Sequence, residues 1–373
     1  MDTIIEQIES VSGSSSSLSV MCIQKYEENM KRAGSVFSII LTMIIWCDYG
    51  QSAEIVLSPV EQAHLDKHFE SMRKYKSQKT NRRIFKNVDF EYDKLNLDSM
   101  GISNGHYFQC NNGFMYINDY STGLIHKIWL QNIGIRSVIG KGLGEAPGKF
   151  INVTGMAFDE NHLYVADGAK GSIEIFNKKI GNHIKSIRLE HATPHRVHIF
   201  NRHMVIQNIE DGVYPFQYVE HSGSLGKKYG GPLVNKNIGL AHYHESHLLK
   251  DSENSFFYVS RILGLIGKYE NEKLVQVYQT IDGIQDPDIK KHGRPGIFTA
   301  AHSGLSSNHI ICLRKKYGDG LVDMVYDVYG RQNVDYQYSF RLGADMINMV
   351  VYKNLLIGCD KNNDIHIFKI KSL

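Results

Sequence analysis

The chain has 373 residues, 42% of them hydrophobic and 22% charged, which excludes a wholly disordered or collagen-like protein. Its length admits one large domain or two ordinary ones. A formal net charge of +3 is too small to argue for a nucleic-acid or acidic-lipid partner.

Residues 1–29 are polar, include the run Ser14, Ser15, Ser16 and Ser17, and show no packing pattern. Met30, Lys31 and Arg32 then precede an apolar stretch from Val36 to Trp46, with a small-residue exit at Gln51, Ser52 and Ala53. This order reads as a secretory signal over 30–53, with Met30 as the true start and residues 1–53 as leader. The stretch is short of the roughly 20 apolar residues of a spanning helix. The competing reading is an uncleaved anchor at 34–47, the one arrangement in which the chain would touch a membrane. Lipid modification of Cys47 is disfavoured by the bulky Trp46 before it.

Ser58, Pro59 and Glu61 form a helix start, with a capping serine, proline at the first helical position and glutamate three residues after the cap. Leu65, Phe69 and Met72 follow at helical spacing. From Arg73 to Arg83 the chain is basic, which predicts a solvated linker after the helix, the two together filling 54–83. Residues 85–92, with Val88, Phe90 and Tyr92 alternating, form a lone strand candidate.

Downstream the chain repeats. Six apolar strands ending in a polar residue begin at Phe114, His162, His203, Phe256, His309 and Asn354, 41 to 53 residues apart. That period suits propeller blades, roughly 40–50 residues each. Around each copy a strand precedes, as at Gly155–Asp159, and an alternating strand follows, as at Ser172–Phe176. The sixth copy ends after three strands at Leu373, so the strand near 85–92 is predicted to complete the last blade and close the ring. The predicted fold is all-β, a six-bladed propeller of four-stranded antiparallel blades over 84–373, expected as a monomer.

Five cysteines lack any Cys-x-x-Cys spacing. In an exported chain Cys110, Cys312 and Cys359 remain. A pair such as Cys110 and Cys359 would suit a bridge between neighbouring blades, but buried free thiols are the favoured reading.

The stretch Gly140-Lys141-Gly142-Leu143-Gly144-Glu145-Ala146-Pro147-Gly148-Lys149-Phe150, followed by Gly155–Asp159 and Leu163–Asp167, resembles an NHL-type repeat. It is also similar to the TolB-like six-bladed propellers exported by bacteria. The resemblance is good over 140–180, partial over 113–130 and weak in blades three to five. It implies the fold and a bacterial exported protein of the periplasm, envelope or exterior, while a fold by itself hosts many activities.

No P-loop, GxSxG, HExxH or EF-hand pattern is present. The chain carries 18 histidines, several at matching places in the repeat. His195, His242 and His302 stand at or near inner-strand starts, where side chains converge on a central channel. The expected binding residues at that mouth are Asn152, Thr154, His195, Arg196, His242, His302 and Asn348. The leading expectation is a non-enzymatic module without a cofactor, recognising a protein, peptide or glycan. The alternative is a lyase or hydrolase with zinc or iron on His195, His242 and His302, a reading the NHL resemblance also implies. His247 is expected in a turn. Asp119, Asp159, Asp167 and Asp360 are expected to cap turns, and the strand Tyr and Phe residues to fill the core. Insertions near Asp251–Asn254 and Gln285–Asp288 are expected to lengthen loops on one rim.

Overall fold

The computed structural model describes residues 76–370 apart from positions 79, 86–89, 191, 201, 208–213, 231–245, 284–296 and 319–320. The leader, the apolar stretch, the helix start at Ser58 and the candidate His242 lie outside the described residues.

Two strands, β1 (Ile84–Phe85) and β2 (Phe90–Asn96), precede the first blade. That blade holds β3 (Gly105–Asn111), β4 (Phe114–Asp119), β5 (Leu124–Trp129) and β6 (Arg136–Ile139). The second holds β7 (Val153–Phe158), β8 (His162–Asp167), β9 (Ser172–Asn177) and β10 (His183–Arg188). The third is β11 (Arg196–Phe200), β12 (His203–Gln207), β13 (Phe216–Val219) and β14 (Leu225–Tyr229). The fourth is β15 (Ser246–Ser252), β16 (Ser255–Ser260), β17 (Leu265–Glu270) and β18 (Lys273–Gln279). In the fifth, β19 (Ile297–Leu305), β20 (His309–Gly318), β21 (Leu321–Gly330) and β22 (Tyr336–Phe340) follow in order. The sixth contains β23 (Met346–Tyr352), β24 (Leu355–Asp360) and β25 (Asp364–Ile370).

Each blade is an antiparallel meander whose first strand is innermost. The sixth takes its outer strand from the front of the chain: β2 pairs antiparallel with β25 from Phe90↔Ile370 to Asn96↔Asp364. The ring therefore closes as the sequence predicts, with the closing strand at 90–96 instead of 85–92.

The strands read as continuous apolar runs because both faces of every blade are buried. In β8, Leu163 and Val165 face blade 1 while Tyr164 and Ala166 face blade 3. Six apolar clusters result, one per seam, including the seam between blades 6 and 1. Tyr116, Tyr258, Tyr269, Tyr326 and Tyr329 are fully buried there. Toward the axis the inner strands crowd. A Cβ on Gly155 would lie 3.0 Å from the Arg196 Cα, and one on Gly304 would lie 2.5 Å from the Val351 Cβ. Cys110, Cys312 and Cys359 are free thiols, and burial raises the pKa of each.

Where it is described, at Lys76, Gln78 and 80–83, the basic segment before β1 is docked on the blades. Lys76 pairs with the outer strand of blade 4 at Tyr278. Gln78 reaches the carbonyls of Gln279 and Val334 at 2.8 and 3.0 Å and accepts the Tyr336 N–H at 2.7 Å. Arg82 donates to Asp327 at 3.0 and 2.9 Å and to Asp282 at 2.7 Å. β1 then adds in parallel to β22 as a fifth strand of blade 5. Lys76, then Gln78 and β1, then β2 thus lie at the edges of blades 4, 5 and 6 in turn. The reason is charge pairing: Asp327 is 1% exposed, and a buried carboxylate needs a cation.

Candidate functional site

The ring has two ends. At the upper one the inner strands begin and the second strands finish, so the starts of β3, β7, β11, β15, β19 and β23 surround one mouth of the channel.

Side chains at these starts link neighbouring blades. Thr154 Oγ1 donates to the Pro194 carbonyl at 2.7 Å, and Arg196 Nη1 returns to the Thr154 carbonyl. His247 Nε2 lies 3.1 Å from the Ala301 carbonyl, and His302 Nε2 lies 2.7 Å from the Ile347 carbonyl. Asn348 Nδ2 donates to the His106 carbonyl at 2.5 Å. A carbonyl only accepts, so in both histidines Nε2 carries the proton and, in the neutral ring, Nδ1 is left as an acceptor. Both rings are neutral near pH 7. Burial first, then the Arg261 guanidinium, pushes the His247 pKa down to about 3. Burial first, then His247 and Lys315, holds His302 well below the ordinary imidazole range.

His195 sits just before β11, its backbone N–H bonded to the Gln207 carbonyl, and burial with the adjacent Arg196 also keeps it neutral. Asn152 lies in the connection to β7, where its N–H donates to Asp167 at 3.1 Å. Of the seven expected mouth residues, Thr154, His195, Arg196, His302 and Asn348 therefore lie around the upper channel and Asn152 lies on its rim. His242 is outside the described residues.

His247 is not in a turn. It is the second residue of β15, and its ring centroid stands 5.7 Å from that of His302. Among the described residues no three His, Cys, Asp or Glu side chains gather as a metal site. The Nε2 atoms of His247 and His302 are engaged by carbonyls instead.

Three further mouth residues went unnoticed in the sequence: Arg261, Lys315 and Tyr107. Arg196 lies over the Tyr107 ring at 5.2 Å and Arg261 over the Phe298 ring at 5.3 Å, and such stacking holds guanidiniums in a fixed plane. Lys315 pairs with Phe298 in the β19–β20 ladder, which brings it to the same part of the mouth as Arg261. Burial and then Arg261 push the Lys315 pKa down to about 8. The available signal was in the repeat: copies one, two and six end in Asp, whereas copies four and five run into Arg261 and into Arg314 and Lys315.

The aspartates act as turn caps. Asp167 accepts the N–H groups of Ile151, Asn152 and Lys170, and Asp119 those of Asn104 and Ser121. Within the motif at 140–150, Gly148 adopts φ 78° and gives its N–H to the buried Glu174 at 3.1 Å. Asp251–Asn254 is no insertion but the tight turn between β15 and β16, at the lower end. β14 and β18 end, and β15 and β19 begin, at the upper end, and Gln285–Asp288 lies outside the described residues. A separate open polar depression of about 790 Å³ lies at the lower end of blades 4 and 5, crossed by the Arg331–Asp251 ion pair at 2.6 Å.

No protein-family model matches the chain, and no curated protein sequence does either. A solved structure of a putative exported protein from Bacteroides fragilis NCTC 9343 matches with a TM-score of 0.57 at 10% identity, covering 80% of this chain and 99% of that one. BamB from Moraxella catarrhalis aligns at a TM-score of 0.45 and 7% identity, over 75% of this chain and all of that one. A catalytically inactive virginiamycin B lyase from Staphylococcus aureus, bound to quinupristin, aligns at 0.45 and 13%, over 75% and 99%. At these identities the likeness concerns the fold. The six-bladed propeller stands, and membership of the NHL or TolB-like type is not established by it.

Proposed function

We propose that the chain is an exported binding module that recognises a protein, peptide or glycan at the upper mouth of its channel. The carrying observation is the asymmetry between the two ends. The lower turns are short, such as 112–113 and 253–254, while β14 and β18 end, and β15 and β19 begin, at the upper end, so the two longest stretches of sequence between strands start and finish there. Loops on a rigid scaffold are where specificity is usually carried. The mouth also offers convergent polar groups from several blades, including the imidazole Nδ1 atoms left over from the inter-blade bonds. The export half of the reading rests on the charged-then-apolar segment at 30–53.

The test is a binding screen of the purified full chain on peptide and glycan arrays, repeated with Asn152→Ala, His302→Gln and Asn348→Ala at the mouth. Lys268→Met, at the lower depression, is the control. The expected result is a ligand lost in the mouth variants and kept in the control. A ligand set indifferent to all mouth substitutions would overturn the reading. The amino terminus of the protein recovered from cells should be Glu54, and an intact residue 30 at the membrane would refute cleavage.

A further inference from the structure

The cations of the upper mouth are unevenly placed. Arg196, Arg261 and Lys315 all stand on blades 3, 4 and 5, together with the neutral His195, His247 and His302. Lys315 is 7% exposed, and among the described residues no carboxylate pairs with it or with Arg196. The neighbouring Arg314 shows the contrast: equally buried, it faces the other way and pairs with Asp282 and Asp323 at 3.1 and 3.3 Å. A buried ammonium without a counter-charge is costly, and a fold tolerates it most readily where an anion completes it. The geometry agrees. Lys315 lies on the same face of β20 as Leu313, the partner of His302, and is the ladder partner of Phe298, over whose ring the Arg261 guanidinium sits. Asp345, the carboxylate whose field Lys315 feels, is exposed and forms no ion pair with it.

We propose that the blade 3–5 half of the mouth is a carboxylate site for an acidic peptide segment, held by Lys315, Arg261 and Arg196. This rests on the reading that the ligand sits at the upper mouth. A peptide fits better than an acidic sugar because the rings of Tyr107 and Phe298 are covered by guanidiniums, leaving neither as a stacking platform for a pyranose. Neutral His247 and His302 offer Nδ1 acceptors to peptide N–H groups beside the carboxylate.

The test is fluorescence anisotropy of a labelled hexaglutamate peptide with the full chain, beside hexaglutamine and an oligogalacturonate. Lys315→Met removes the charge and keeps the apolar stem. Deleting an unpaired buried cation leaves the melting temperature unchanged or higher, which separates lost binding from lost folding. Hexaglutamate is expected to bind, to weaken ~10-fold or more in Lys315→Met, and to weaken between ~50 and ~300 mM salt. Hexaglutamate that fails to bind, or binds Lys315→Met equally, overturns the site. Oligogalacturonate binding that depends on Lys315 without peptide binding overturns the peptide ligand. A neutral array ligand lost in the His302 and Asn348 variants but not in Lys315→Met would sink this inference and leave the mouth reading standing.

Discussion

Blades 1, 2 and 6 and blades 3, 4 and 5 solve the same problem differently. In the first set an aspartate ends the second strand and ties the upper turn to it: Asp119, Asp167 and Asp360, the last accepting Asn362 and Asp364 N–H groups and His366. In the second set that position holds Gln207, Ser260 and Arg314. There, Ser260 still accepts the N–H of Leu263 at 3.1 Å, and ties from far along the chain are added. Gln207 reaches Ser246 on the next blade at 3.0 Å, and Arg82 joins blades 4 and 5 through Asp282 and Asp327. The regular half is held by short-range caps. The irregular half adds long-range ties. The proposed carboxylate site lies in this irregular half.

That contrast can be broken at its strongest tie. Arg82→Met leaves Asp327 buried without a counter-ion and is expected to cost about 3–5 kcal/mol, read as a lower denaturant midpoint. Lys315→Met moves the other way. Its pKa falls from 10.5 to about 8 on folding, so below pH 8 the charged side chain is a full penalty, which fades as pH rises toward 10.5. Its removal is expected to add up to about 3 kcal/mol at pH 7 and nothing above pH 10.5, by melting at the two pH values.

In the regular half, Asp167→Asn weakens three amide bonds and is expected to cost about 2 kcal/mol. The same measurement on Gln207→Ala should give less if the caps matter only in blades 1, 2 and 6. The smallest effect is on acidification. His247 has its pKa depressed on folding, so only the unfolded chain takes up its proton as pH drops below about 6.5. Stability should therefore fall from pH 6.5 to 5. His247→Gln should flatten that slope by about 1 kcal/mol, the partly solvated ring giving less than its full shift.

The ring was legible in the sequence because blades are local. Six copies of a strand ending in a polar residue need only neighbouring turns to form, and the lone strand candidate upstream of the first copy already stood out as one without a blade of its own. The recurring aspartates were legible for the same reason, since their partners lie a few positions away. The turn at Asp251–Asn254 was misread because polar composition does not distinguish an insertion from a hairpin corner. His247 was misplaced because strand starts shift by a residue or two without changing the apolar pattern.

What the sequence by itself determined is the architecture: an all-β chain, six blades, and closure by a strand from the front. Only the tertiary structure decided that Arg82 is a tie and not a solvated charge, since its partner Asp327 is 245 positions away. It alone also decided that Arg196, Arg261 and Lys315 share one side of a mouth. Strand patterning fixes which face of a sheet a residue takes. Which residues of different blades meet across a channel depends on the curvature of the whole ring, and no local period records that.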